Sequence, residues 1–267
     1  MFANGLLARF AGSLRDSDKL FHAMKKIFNS VRRQFWRSSA PANFAEVERA
    51  ERIFYLNYLR ENMTVFDVGA NVGELTLLFS RFAAGGSIHA FEASRAAFEK
   101  LEIVCRAANG RNITLNHLAL ADKKGSIRLH VYDDDYLSFN TQGVRKIKEC
   151  GLEVEPIGIE ETSAVTVDDY CEEKGIEQID LLKIDVEGAE LQVMKGARRM
   201  LKSKRIACLT FEFGQTTFDM GNSPAEIEYY LKEIDYKIRN IVKGNSIFPG
   251  RESVEAAQYS MYAATPA

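Results

Sequence analysis

The chain has 267 residues, 46% hydrophobic and 27% charged, with a formal net charge of −2, enough to bury a large core in one globular, soluble domain plus an extension. No apolar stretch approaches the roughly 20 residues that span a bilayer, and the N-terminus lacks the charged, apolar, small-residue order of a secretory signal, so a cytoplasmic protein is expected. Cys105, Cys150, Cys171 and Cys208 form no C-x-x-C pair and the four histidines no H-x-x-x-H pair, which argues against a zinc knuckle or a disulfide framework and for reduced, packed thiols.

Charge is distributed unevenly. Residues 1–40 carry eight Lys or Arg against Asp16 and Asp18, a net +6 that leaves −8 on the remainder. Phe21, Met24, Ile27, Phe28, Val31 and Phe35 recur at three- and four-residue spacing, which predicts a basic amphipathic helix within an N-terminal extension, residues 1–43. Such a helix can lie on an anionic membrane surface at the inner face, pack onto its own domain, or pair two subunits. Ala40-Pro41-Ala42-Asn43 marks the boundary, and Phe44 to Arg60 has helical periodicity through Val47, Ile53, Phe54, Leu56 and Leu59.

The main domain, 44–267, then alternates strands and helices: strand 64–68, helix 73–83, strand 87–91, helix 95–108, strand 112–117. That order predicts a mostly parallel sheet with helices on both faces. Between the first strand and its helix stands Asp67-Val68-Gly69-Ala70-Asn71-Val72-Gly73, where Gly69 and Gly73 permit a sharp bend or a close ligand approach. The segment reads G-x-N-x-G and not the G-x-G-x-x-G of a dinucleotide site. Asp67 at the strand end suits an ammonium or hydroxyl groups, and Glu92, nineteen residues beyond Gly73 at the tip of the second strand, stands where an acid meets ribose hydroxyls. The expected ligand is a nucleoside carrying a cation.

Farther on, Asp122-Lys123-Lys124-Gly125 is a turn by composition, and Ser126 to Tyr132 alternates as a further, antiparallel strand. Residues 133–161 have no sustained periodicity and read as an insertion at the mouth of the site. Tyr132, Tyr136 and Phe139 can either stack on a sugar ring or pack this lid. A short helix runs to Lys174 from an N-cap-like acid pair, Asp168 and Asp169. Ile179 to Asp185 is an apolar strand ending in an acid, Gly188 opens a helix through Leu201, and Cys208 to Phe213 places Glu212 at the same sheet edge. Asp67, Glu92 and Asp185 should therefore project into one cleft, since the crevice of an open α/β sheet lies at the carboxyl ends of its strands. Glu187 and Glu190 also complement the positive end of a helix. Ser223-Pro224-Ala225-Glu226 starts a capped helix, followed by two terminal strands over 236–241 and 258–263.

The ordered set V-F-D-V-G-A-N-V-G-E, H-A-F-E-A-S, V-T-V-D-D-Y, I-D-L-L-K-I-D-V-E-G-A-E-L-Q-V-M-K-G-A and L-T-F-E-F, across residues 62–263, resembles the FkbM family of S-adenosylmethionine-dependent methyltransferases. The resemblance implies a class I methyltransferase (Rossmann-like) fold: a seven-stranded, mostly parallel sheet with helices on both faces and an antiparallel last strand. It also implies O-methylation of a sugar, glycolipid or secondary-metabolite hydroxyl. In that fold the Gly69 to Gly73 turn, with Asn71, approaches the methionine portion of S-adenosylmethionine, Asp67 lies near its amino group, Glu92 holds its ribose, and Asp122 lies near its adenine or simply forms its turn. Asp185 is then the first candidate general base and Glu212 the second. No metal is predicted, although Asp185, Glu187 and Glu212 could hold Mg²⁺ through oxygen ligands. The alternatives are a methyltransferase acting on nitrogen or on a macromolecule and, further removed, a nicotinamide-dependent oxidoreductase. The acidic body disfavours nucleic acid, whose phosphates attract basic surfaces.

Overall fold

The structure, a computed structural model, describes residues 44–143 and 154–267. The predicted basic helix, with any membrane contact or pairing of subunits through it, and the middle of the 133–161 insertion lie outside the described residues. In chain order the elements are α1 (Phe44–Tyr58), β1 (Thr64–Val68), α2 (Glu74–Phe82), β2 (Ser87–Phe91), α3 (Arg95–Ala107), β3 (Ile113–Asn116), β4 (Ala119–Leu120) and β5 (Gly125–Val131). A 3-10 segment, Asp134–Phe139, leads on to β6 (Gly158–Val165), α4 (Val167–Lys174), β7 (Leu181–Ile184), α5 (Glu190–Gly196) and α6 (Arg198–Lys202). The chain continues through β8 (Leu209–Phe213), α7 (Gln215–Asp219), α8 (Pro224–Glu233), β9 (Tyr236–Asn240) and β10 (Ser260–Pro266).

Seven strands form the main sheet in the order β3-β2-β1-β7-β8-β10-β9. The five from β3 to β8 pair in parallel, and β10 enters antiparallel between β8 and β9. This is the class I methyltransferase sheet, with the expected antiparallel last strand. The order reverses direction between β1 and β7, and that switch point opens the crevice in which such sheets bind ligands.

Strand alternation sorts the helices onto two faces. Val65, Ile88, Leu181, Cys208 and Ala263 point to the face covered by α1 and α2, where Tyr55, Leu59 and Phe79 are fully or nearly fully buried. Phe66, Phe91, Leu182, Ile184, Leu209 and Phe211 point to the opposite face, against Tyr170, Leu191, Met194, Leu201, Ile227 and Leu231 of α4, α5, α6 and α8. Because the central strands are covered on both sides, their sequence is nearly continuously apolar, and the few polar residues in them stand out. Burial pushes the thiols of Cys105, Cys171 and Cys208 up to about 12, as suits packing residues.

Helix ends follow local chemistry. Thr166 caps α4 by accepting the amide of Asp169, and Gly175 closes it in the left-handed region. Ser223 and Glu226 form the predicted capping box on α8. Two expectations need correction. The insertion is not irregular to Glu161: β6 begins at Gly158 and pairs antiparallel with β5, in a small sheet ordered β4-β6-β5. Strand β6 buries Thr162 and Ala164 and exposes Ile159, so no apolar stripe marks its period. The helix expected from Gly188 to Leu201 is two short helices broken at Ala197, where Gly196 presses so close to the backbone of Ala121 that a Cβ would stand 2.0 Å from its carbonyl oxygen.

Candidate active site

The turn after β1 is built by contacts within the protein. Gly69 (φ 75°) has no room for a side chain, because a Cβ would lie 1.8 Å from the carbonyl oxygen of Asp185. The end of β7 thus demands glycine here. Gly73 packs in the same way against Leu101 of α3. Asn71 takes the left-handed region at φ 47° and turns its amide toward Glu92, whose Oε2 accepts it at 2.8 Å. The other carboxylate oxygen of Glu92 accepts the Ser94 amide, also at 2.8 Å. Burial raises the carboxyl above its ordinary value, opposed by these amides. A carboxylate offers about four acceptor sites, so capacity remains for a hydroxyl donor in the cleft that Glu92 lines.

Beneath the turn runs a buried polar row. Asp67 of β1, Lys183 of β7 and Thr210 of β8 are register partners on adjacent strands, so all three face α1 and α2. Lys183 is 2% exposed. Its ammonium lies 3.1 Å from Asp67 Oδ1 and 3.4 Å from Asp185 Oδ2, and it donates to the carbonyl oxygens of Gly69 (2.8 Å) and Val68 (3.4 Å). Burial opposes the charge, but the carboxylates of Asp67, Asp185 and Glu51 outweigh it and hold the ammonium protonated. Thr76 of α2 donates to the second oxygen of Asp67 at 2.6 Å. From α1, Tyr55 donates to Glu51 at 3.0 Å and meets the Thr210 hydroxyl at 2.9 Å. Burial, and next the field of Asp185, push the Glu51 carboxyl up to about 7.

One residue pair further along each strand brings the carboxylates of the sheet edge together. Asp185, Glu187 and Glu212 each place an oxygen within 4.8 Å of the others. Asp185 is about one-third exposed, whereas Glu212 is buried. Burial first, then Glu187, Asp185 and Glu190, raise the Glu212 carboxyl well above the usual range. Glu190 accepts the amides of Val186 and Gly188, at 3.2 and 3.1 Å, and burial raises it to about 7. The donor set has the oxygen chemistry of a hard-cation site.

The cleft above has a cavity volume of about 130 Å³. Gly69, Asn71, Glu92, Asp185 and Glu187 line its polar side, and Leu118, Leu120, Ile127, Leu129 and Leu137 its apolar side. Of the residues expected here, Gly69, Asn71, Glu92 and Asp185 meet in this cleft. Asp67 does not: it is fully buried, with Thr76 donating to one oxygen and the Lys183 ammonium 3.1 Å from the other. Gly73 lies behind the turn. Asp122 sits on the exposed bend before β5, outside the cleft, which leaves it the turn-forming role. Glu212 is not among the residues lining the cleft; it lies beside Asp185 at the same sheet edge. Tyr132 and Phe139 are buried against one another with ring centroids 5.9 Å apart, which makes them packing residues of the small sheet. Lys183, Glu51 and Tyr55 escaped the sequence reading. The signal for Lys183 was available, as a lone cation inside the apolar run Leu181-Leu182-Lys183-Ile184.

Sheet order and switch-point cleft define a class I methyltransferase fold. The sequence profile described as "Methyltransferase FkbM domain" matches residues 67–238, and the chain belongs to that family. It is 32% identical over 160 residues to 31-O-demethyl-FK506 methyltransferase FkbM of Streptomyces tacrolimicus, covering 52% of this chain and 60% of that one. It is 29% identical over 152 residues to the 2-O-methyltransferase NoeI of Sinorhizobium fredii, covering 53% and 60%. The chain thus spans about 60% of the length of these curated relatives. Among solved structures, the precorrin-6y C5,15-methyltransferase of Geobacter metallireducens superposes with a TM-score of 0.47 at 12% identity, over 86% of this chain and 95% of that one.

Proposed function

We propose that this protein is an S-adenosylmethionine-dependent O-methyltransferase acting on a hydroxyl of a sugar, glycolipid or secondary metabolite. The observation that carries the reading is Glu92, a carboxylate pinned by two backbone amides at the tip of β2 with acceptor capacity left over for a hydroxyl donor. Family membership supports methyl transfer. The relatives' names, a 31-O-demethyl compound and a 2-O position, support oxygen as the acceptor atom.

The residues fit the cofactor. Glu92 would take the ribose hydroxyls, the apolar wall of Leu118, Leu120, Ile127 and Leu129 the adenine, and the Gly69 to Asn71 turn the methionine end. When bound, S-adenosylmethionine supplies a methyl group on a sulfonium, already activated for displacement by oxygen. The protein then has to align the acceptor, exclude water and receive one proton. Asp185 is the receiving group: it lies at the switch point, lines the cleft and keeps one-third of its side chain exposed. Glu212, hydrogen-bonded to Asp185, orients it. A fixed negative cluster at this edge favours neutral or cationic acceptors over phosphorylated ones.

Calorimetric titration with S-adenosylmethionine, S-adenosylhomocysteine and NAD⁺ tests the cofactor, with saturable binding of the first two alone expected. Glu92→Gln, which loses the charge but not the shape, should weaken that binding by about tenfold or more, the worth of a charge-assisted hydrogen bond. Binding of NAD⁺ alone would sink the proposal. A Michaelis–Menten comparison on any hydroxyl acceptor found by screening should show Asp185→Asn losing about 10²-fold or more in kcat with cofactor affinity within a few-fold of wild type.

A further inference from the structure

We propose that Lys183 is a positioning residue that couples the cofactor turn to the reacting carboxylate, its ammonium holding the backbone of Gly69 on one side and Asp185 on the other. The inference rests on the methyltransferase reading for the roles of the turn and of Asp185, and on geometry for the link. Four oxygens surround the one Nζ: those of the Gly69 and Val68 carbonyls, Asp67 and Asp185, at 2.8, 3.4, 3.1 and 3.4 Å. Three of these partners border the cleft directly, since Val68, Gly69 and Asp185 all line it.

Stability alone does not explain this arrangement. Removing a lysine from water is costly, and a buried ion pair can usually be replaced by apolar residues of similar volume with no loss of stability. Here the pair is elaborated. Thr76 orients Asp67, Asp67 anchors the ammonium, and only then does the ammonium reach Asp185. The charged groups facing it are Asp67 from β1, Asp185 beyond β7 and Glu51 from α1, with Glu212 of β8 beside Asp185. An opposite charge at 3.4 Å favours the Asp185 anion and restricts where its oxygens point. The Gly69 carbonyl, held by the same ammonium, fixes the turn that presents Asn71 to Glu92. A shift of the turn is therefore felt at Asp185.

The test separates positioning from mere support of the fold. Lys183→Met leaves Asp67 buried and unpaired and is expected to lower the melting temperature. The double variant Asp67→Asn, Lys183→Met removes the charge pair as a unit and should recover most of that loss. If Lys183 positions, the double variant regains stability but still binds S-adenosylmethionine several-fold more weakly and shows kcat down by about 100-fold, the scale of a 1 Å misplacement. Stability, affinity and kcat all returning together would overturn the inference. A second measurement needs no Lys183 variant to fold. In protein labelled with ¹⁵N-lysine, a buried, slowly exchanging ammonium signal should shift on adding S-adenosylhomocysteine and, without any cofactor, shift again in Asp185→Asn. A signal indifferent to both changes would reject the coupling. Wild-type protein that ignores S-adenosylhomocysteine yet shows the Asp185→Asn shift would keep the link and refute the cofactor reading.

Discussion

At Gly69 the backbone carries two demands that one residue type meets. Its φ of 75° strains any side chain, and a Cβ would collide with the Asp185 carbonyl. Gly69→Ala should therefore cost at least about 2 kcal/mol and lower cofactor affinity with it, measured by urea unfolding. The control is Gly158→Ala, where the nearest atom to a new Cβ is 3.8 Å away and the effect should stay within about 0.5 kcal/mol. Glu190 gives a second test at this scale. Its carboxyl is raised from 4.5 to about 7, so the unfolded chain loses its proton first as pH rises. Folding is then progressively disfavoured between about pH 4.5 and 7, and the loss levels off above. Glu190→Gln removes this term: the stability difference between about pH 5 and about pH 8 should shrink by up to about 3 kcal/mol, read by denaturant melts at both values. The acids at strand tips were legible in the sequence because strand ends name the crevice. What they do was less legible: Asp67 and Asp185 stand in the same type of position, and only their burial and contact with Lys183 make one an anchor and the other a cleft residue.

Among the elements, α1 contributes beyond its place in the sequence. It precedes the family-matched block, 67–238, yet supplies Tyr55 and Leu59 to the core and Glu51 and Tyr55 to the polar row. Tyr55→Phe removes one hydroxyl that serves both Glu51 and Thr210, and should cost about 1–3 kcal/mol, more than a single exposed hydrogen bond would, in thermal or urea melts. Strands and helices of the parallel half were readable because their apolar runs and caps follow simple periods. Where the reading failed, tertiary context was missing from it: two short helices meet at Ala197, next to the close approach of Gly196 to Ala121, and the pairing of β6 with β5 organises a segment that buries Thr162 and exposes Ile159.

Taken whole, the molecule separates labour across the sheet's switch point. On one side of the cleft stand Glu92 and the apolar wall, on the other Asp185 with the carboxylates beside it, and Lys183 lies beneath the join. No helix among the described residues is long and apolar enough to cross a membrane. The seven-stranded order was anticipated through the family's motifs more than through periodicity, which cannot say where a final strand inserts. Its insertion has a consequence for biogenesis. Until Ser260–Pro266 has left the ribosome, β8 presents an unpaired edge carrying Phe211 and Phe213, and β9 has no partner strand at all. The nascent domain must therefore persist as an incomplete, adhesive half-sheet while the last segments are made, a natural client for chaperones that bind exposed strand edges. A chain truncated before Ser260 should be protease-sensitive, and one extended through Pro266 resistant, in limited proteolysis.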